Sequence, residues 1–282
     1  MKKAKYIEEK IFRFLMILSL FIVAGFVFSV LWSIFSKGIP VLTWEMVTSL
    51  PGSGFYVGKQ GGFLNAIVGS VYIVLGATFL GLLISIPVVF YLSVYLKKDS
   101  RFGSIARLAF DVLFGVPSIV YGAFAFTIMI VVGIRASLLG GILVETLLII
   151  PILIRSMDEV ARTIPKELLE TAYSLGATKI ETIGVVIRQI APAIATATLL
   201  SVGRAMGDAA GVMFTAGFTD YIPESLTDKA ATLPLSVFFQ LSAPQIEVQN
   251  RAYAAAVVLT VIILIISLSG RFIMRYFSKN KV

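Results

Sequence analysis

The chain has 282 residues, of which 58% are hydrophobic and 14% charged, with a mean hydropathy of +0.94 and neither cysteine nor histidine. Soluble domains carry roughly 25% charged residues, so this composition excludes a water-soluble globule and requires an integral membrane protein. Missing cysteine and histidine exclude disulfides, thiolate chemistry and the commonest metal ligands, and the net charge of +8 lies in short basic gaps rather than on a nucleic-acid-binding face.

A transmembrane helix needs about 20 apolar residues. Phe14–Phe35 is an uncharged run of 22, longer than a signal-peptide core and not closed by a small-residue cleavage site. It is expected to remain as the first span. Leu64–Leu96, 33 uncharged residues, predicts a second span with a kink at Pro87. Val112–Ile134 predicts a third, in which Pro117-Ser118 and Tyr121 loosen the helix. Ala136–Ile154, interrupted only by Glu145, predicts a fourth. Ile190–Thr219, containing Arg204 and Asp208, predicts a fifth, and Ala252–Gly270 a sixth. Between them, Lys37–Phe63 and Asp220–Asn250 read as loops rich in turn residues. The expected fold is an all-α integral membrane protein with six transmembrane helices.

Lysine and arginine mark the inner side of a membrane. Eighteen of the 24 fall on the side of both termini, five fall opposite, and Arg204 lies within the fifth span. Both termini are therefore expected to be cytoplasmic. The chain divides into 1-63 (tail, first span and external loop), 64-276 (a core of five spans with a cytoplasmic loop at 158-189) and a tail at 277-282.

That cytoplasmic stretch, Asp158–Gln189, predicts two short amphipathic helices at a bend. Thr163 is placed to cap the first, Pro165 suits its first turn, and Glu167 complements its dipole. Leu168, Leu169, Ala172 and Leu175 have helical spacing. Gly176 suits a left-handed C-terminal cap, Thr178 caps the successor, and Ile180, Ile183, Val186 and Ile187 resume the spacing. Spacing alone fits either a surface-bound linker or a docking knob for a cytoplasmic partner.

Glu170-Thr171-Ala172-x-x-x-Gly176-x9-Val186 resembles the loop by which permeases of ABC importers insert into a groove on their ATPase subunits. Thr171 replaces the family's second alanine, and Arg188-Gln189 stand where Leu-Pro is common. Five further segments resemble the A-type permease of phosphate-specific importers: Leu50-Pro51-Gly52-Ser53-Gly54, Gly115-Val116-Pro117-Ser118-Ile119-Val120-Tyr121-Gly122, Pro151-x-x-Ile154-Arg155-Ser156, Gly203-Arg204-Ala205-Met206-Gly207-Asp208-Ala209 and Ala231-Thr232-Leu233-Pro234-Leu235. The resemblance runs from about residue 48 to the C-terminus.

It implies the fold of a type I importer permease in a prokaryotic cytoplasmic membrane, carrying inorganic phosphate. The implied partners are a second, C-type permease, two copies of an ATP-binding subunit and an external phosphate-binding protein. Glu170, Ala172, Gly176 and Ala177 would then contact the ATPase. This chain has no phosphate-cradling G-x-x-x-x-G-K-[ST] segment, so ATP and Mg are expected on the partner, with no cofactor and no enzymatic chemistry here. Permeases for molybdate or sulfate, or an ATP-independent carrier or channel, are the alternatives.

Arginine inside a bilayer costs at least about 2.5–3.5 kcal/mol and by default suggests function. Arg204 and Asp208, four apart, are expected on one face of the fifth span, either as a self-satisfied ion pair or as pathway groups. A guanidinium suits phosphate through two parallel hydrogen bonds, and a carboxylate can accept the proton that phosphate retains and sulfate lacks. The related permeases usually carry Glu at position 208. Gly203, Gly207 and Gly211 form a small-residue stripe, read as a packing seam or as kink tolerance. Glu145 is left to pair with Arg135, Arg204 or another subunit, or to be protonated in place. Asp111 is expected to pair with Arg107 at i,i+4.

Overall fold

The computed structural model describes residues 2–52, 61–96 and 100–279. The Ser53-Gly54 end of one family-like segment and the basic residues Lys59, Lys97, Lys98 and Lys281 fall outside them. Five helices are long and apolar enough to cross a membrane, and a sharply bent pair brings the number to six if counted as one span. They are α1 (Lys2–Gly38), α3 (Leu64–Phe90, prolonged by a π-helical turn at Tyr91–Tyr95), α6 (Leu138–Ala161), α8 (Lys179–Gly207) and α10 (Ile246–Lys279). The pair is α4 (Arg101–Phe114) and α5 (Ser118–Val132). Short helices α2 (Trp44–Thr48), α7 (Lys166–Ser174) and α9 (Leu233–Leu241) complete the order, so both stretches read as loops contain a helix.

The core lies among α3, α6 and α8, where Ala77, Val89, Ile149, Leu153, Val186, Ile190 and Ala197 are buried. Helix α1 stands outside it. None of its most apolar stretch is buried, and it meets the rest at Gly38, whose backbone lies against that of Tyr253 on α10. Lys37 tightens this joint by lying 4.8 Å over the Tyr253 ring. The N-terminus of α6 is served from far along the chain. Ser137, Leu138 and Leu139 donate their amides to the carbonyls of Thr215, Asp228 and Leu226, satisfying groups that a helix start leaves open.

The third apolar run is not one straight span. It breaks after Phe114 and turns by 101° before Ser118. Pro117 has no N–H to offer the Leu113 carbonyl, and it disfavours helical geometry at Val116. That carbonyl instead accepts from the Val116 amide at 3.1 Å and from the Tyr121 hydroxyl at 2.9 Å. In hydrocarbon a freed carbonyl must find such a donor. Tyr121→Phe is expected to destabilise the bend by about 1 kcal/mol, read as a lower melting temperature of the purified protein in detergent.

The fifth run also differs from expectation. Helix α8 stops at Gly207, because Asp208 adopts an extended conformation and its carboxylate accepts the Gly211 amide at 2.6 Å. Residues 208–219 are turns, not helix. At its other end α8 begins at Lys179, so the second helix of the expected bend is the start of a 29-residue span that accommodates Pro192.

Candidate functional site

Two groups of residues stand apart from ordinary packing. The first is the bend between α7 and α8. Gly176 has φ +86°, its amide bonds the Tyr173 carbonyl at 2.9 Å, and the Ala177 amide bonds the Ala172 carbonyl at 3.1 Å. These two bonds are the Schellman closure of a helix on a left-handed residue. Thr178 then opens α8 with a reciprocal capping box: it receives the Glu181 amide at 3.3 Å and gives its own amide to the Glu181 carboxylate at 2.7 Å. That carboxylate also accepts the Thr178 hydroxyl.

Thr163 does not cap α7; its hydroxyl donates to the Val160 carbonyl, and Pro165 occupies the cap position. A proline held at φ −60° can enter a helix without surrendering a needed amide. The apolar spacing divides at the bend. Leu169, Ile183 and Val186 pack on the core, while Leu175 and Ile180 are 84% and 73% exposed. Glu170 is exposed, Ala172 and Ala177 are half-buried, and nothing lies within 4 Å of where a Gly176 side chain would start. The bend is a preformed, solvent-facing knob with an apolar tip.

The second group lies where α8 ends. Arg204 sits in its last turn and is exposed, flanked by half-exposed Gly203 and exposed Gly207, while Ala205 and Met206 turn into the core. Among the described residues Arg204 makes no hydrogen bond and no ion pair. The expected i,i+4 pair with Asp208 is absent for a backbone reason: the helix ends between them and Asp208 turns back to cap Gly211.

Gly203 and Gly207 have open space before them, whereas Gly211 lies in the turn, away from any helical stripe. The expected three-glycine seam is thus two glycines beside an arginine. Among the described residues, nothing lies within 4 Å of where a side chain at Gly203 or Gly207 would start.

Glu145 on α6 is fully buried and, among the described residues, neither of its oxygens has a hydrogen-bond donor. No hydrogen bond or ion pair joins it to Arg135 or Arg204, although its carboxyl interacts electrostatically with both Asp208 and Arg204. The two carboxyls converge on Gly211. A side chain there would begin 2.7 Å from Asp208 Oδ2 and 3.4 Å from Glu145 Oε1. Helix α5 closes the site from the other side, since a Gly122 Cβ would lie 2.6 Å from the Gly211 carbonyl. The geometry therefore brings Glu145 and Asp208 together, with Arg204 at the rim pointing outward.

Asp111 does not pair with Arg107. Both reach across to α6 instead: Asp111 to Arg155 at 2.6 Å, and Arg107 to Asp158 through bonds of 2.8 and 3.1 Å. Asp158 was not distinguishable in the sequence, since its partner lies 51 residues away. Ala231, Leu233 and Leu235, from the last family-like segment, are fully buried packing residues around the Thr232 cap of α9.

Residues 86–281 match the family described as binding-protein-dependent transport system inner membrane component. The phosphate transport system permease protein PstA of Haemophilus influenzae is 31% identical over 86% of this chain and 85% of its own length. The PstA protein of Yersinia pestis is 31% identical over 95% and 90%. The probable PstA of Methanocaldococcus jannaschii is 27% identical over 97% and 96%. Among solved structures, an inward-facing form of the MetNI methionine ABC transporter superposes with a TM-score of 0.60 at 17% identity, over 76% of this chain and 95% of that one. That likeness gives the fold of an ABC importer permease.

Proposed function

Because this chain belongs to the family of binding-protein-dependent transport system inner membrane components, with phosphate transport permeases as relatives along nearly its whole length, we propose that it forms half of the pathway of an ATP-driven inorganic phosphate importer. It is a multi-pass membrane protein, and we place both termini in the cytoplasm on the strength of the basic residues there. A second, C-type permease faces it, two ATP-binding subunits carry ATP and Mg, and an external binding protein delivers phosphate.

The observation that carries the reading is Arg204, a charged donor within the apolar part of the chain that makes no hydrogen bond or ion pair among the described residues. In a bilayer such a group faces a polar cavity or a partner. The flanking Gly203 and Gly207 suit close approach of a second helix. A guanidinium there would hold phosphate through two parallel charge-assisted bonds. Asp208, half-buried behind it, supplies an acceptor that a proton-bearing oxyanion can use, with Glu145 buried beside it. At the other end of α8, Glu170, Ala172, Gly176 and Ala177 form the contact with the ATPase.

Radiolabelled phosphate uptake tests this, in cells lacking only this chain and in cells with it restored. Uptake is expected to require the chain, to resist competing sulfate and molybdate, and to collapse when ATP is depleted. Inhibition by either competitor would assign another oxyanion. Uptake that persists without ATP would assign a carrier or channel.

A further inference from the structure

Helix α4 is fastened to α6 by two ion pairs in reversed order. Arg107 and Asp111 are one turn apart on α4, and Arg155 and Asp158 are one turn apart on α6. Arg107 meets Asp158, and Asp111 meets Arg155. The Arg107–Asp158 pair is bidentate and shielded, with side-chain exposures of 17% and 7%. Removing one partner of such a pair leaves a charge without compensation, which is costly. Arg107 extends the fastening, because its Nη2 also donates to the Leu92 carbonyl at 3.3 Å, in the π turn that ends α3. The same turn carries Tyr95, over which Lys179, the first residue of α8 beyond the bend, places its ammonium at 5.2 Å.

Helices α4 and α6 and the turn that ends α3 thus meet in one charged cluster, and α8 touches the same turn through Lys179. The exposed bend is covalently continuous with α6 on one side and α8 on the other. Beyond the cluster, α4 passes through the 101° elbow into α5, and α5 lays Gly122 against the carbonyls of Ala210 and Gly211, where Asp208 and Glu145 meet. Phe126 of α5 packs on Phe214 at 6.0 Å, just after that turn. No direct contact is needed between bend and carboxyls, since the elbow spans the gap.

We propose that Arg107, Asp158, Asp111 and Arg155 are positioning residues for transport. They form a clasp that stays closed and passes displacement of the α7–α8 bend through α4 and α5 to the turn holding Asp208. The proposal rests on the reading of that bend as the ATPase contact. The clasp touches no substrate. Its office is to make two bent half-helices follow α6 as one body, and a clasp formed of opposite charges in crossed order also fixes which turn of α4 meets which turn of α6.

The test uses the complete importer in liposomes, with internal or external ATP as the assay requires. Asp158→Asn, which keeps shape and removes charge, is expected to lower phosphate uptake per ATP hydrolysed by roughly tenfold or more, with the KM for phosphate and the ATPase rate little changed. A purely structural staple would instead lower uptake and hydrolysis together, and that result overturns the proposal. The chain has no cysteine, so Asp111→Cys with Arg155→Cys can be bridged selectively in the Asp158→Asn background. Bridging by a thiol crosslinker as long as the lost side chains is expected to restore the uptake-to-hydrolysis ratio. Failure of the bridge to restore it also counts against a clasp that works closed. Gly176→Pro in parallel separates the two readings. If it uncouples and Asp158→Asn does not, the clasp alone is wrong; if Gly176→Pro leaves uptake normal, the docking of the bend is wrong.

Discussion

Gly176→Pro or Gly176→Asp is expected to abolish phosphate uptake while the proposed importer still assembles in the membrane. Gly176 holds φ +86°, in a region that costs other residues roughly 1–2 kcal/mol and that proline, fixed near −65°, cannot enter. The proline variant must open the Schellman closure, and it also removes the amide that bonds Tyr173. Both changes redirect the chain between α7 and α8. Neither touches the core, because the space before Gly176 is empty.

Aspartate is the finer probe. It tolerates left-handed geometry better than most residues, yet it adds a charge at the exposed tip beside Leu175 and Ile180. ATP hydrolysis and uptake, measured on the same reconstituted complex, are expected to separate: hydrolysis persists and uptake does not. Gly176→Ala, strained but uncharged, should fall between aspartate and wild type. Normal uptake in the proline variant would remove the docking role from this bend.

Arg204→Ala is the second large effect. Hydrogen bonds to charged groups contribute about 1.5–3 kcal/mol each, so losing two from a bound anion costs about 3 kcal/mol or more, a factor of about a hundred in uptake. Arg204→Lys keeps the charge and loses the fork, and should retain a fraction between the two. Membrane content of the complex is expected to be unchanged, since Arg204 makes no hydrogen bond or ion pair among the described residues. Uptake rate against phosphate concentration, normalised to complex present, is the measurement. Undiminished uptake by the alanine variant would reduce Arg204 to a contact between subunits.

Much of this architecture was legible because hydropathy reports environment. Four of the six apolar runs form single helices (α3 with its π turn), the third breaks at Pro117 and the fifth stops being helix at Gly207, while Gly176 and Thr178 announced their bend by backbone preference and capping chemistry alone. What hydropathy does not report is direction. Pro87, Pro151 and Pro192 lie inside α3, α6 and α8, whereas Pro117 stands at a 101° break. The four look alike in sequence. The difference lies in the surroundings, where Tyr121 serves the carbonyl that Pro117 leaves bare and Gly122 packs on a turn nearly ninety residues later.

The same blindness explains the charged residues. Spacing of four offered Arg107–Asp111 and Arg204–Asp208, and neither pair forms. One helix presents its charges to α6, and the other ends before its second charge is reached. The convergence of Glu145 with Asp208 required α6 and the end of α8 to be placed side by side, which no local pattern encodes.

The first turn of α6 draws its three partners from Thr215, Leu226 and Asp228, and that has a bearing on time. A ribosome adding about 5–20 residues per second reaches residue 228 roughly 5–18 s after residue 138. Throughout that interval the N-terminal end of α6 must lean on water and lipid headgroups for its amides. The last of these turns to emerge therefore finishes a helix begun many seconds earlier, and this end of the protein matures after its interior.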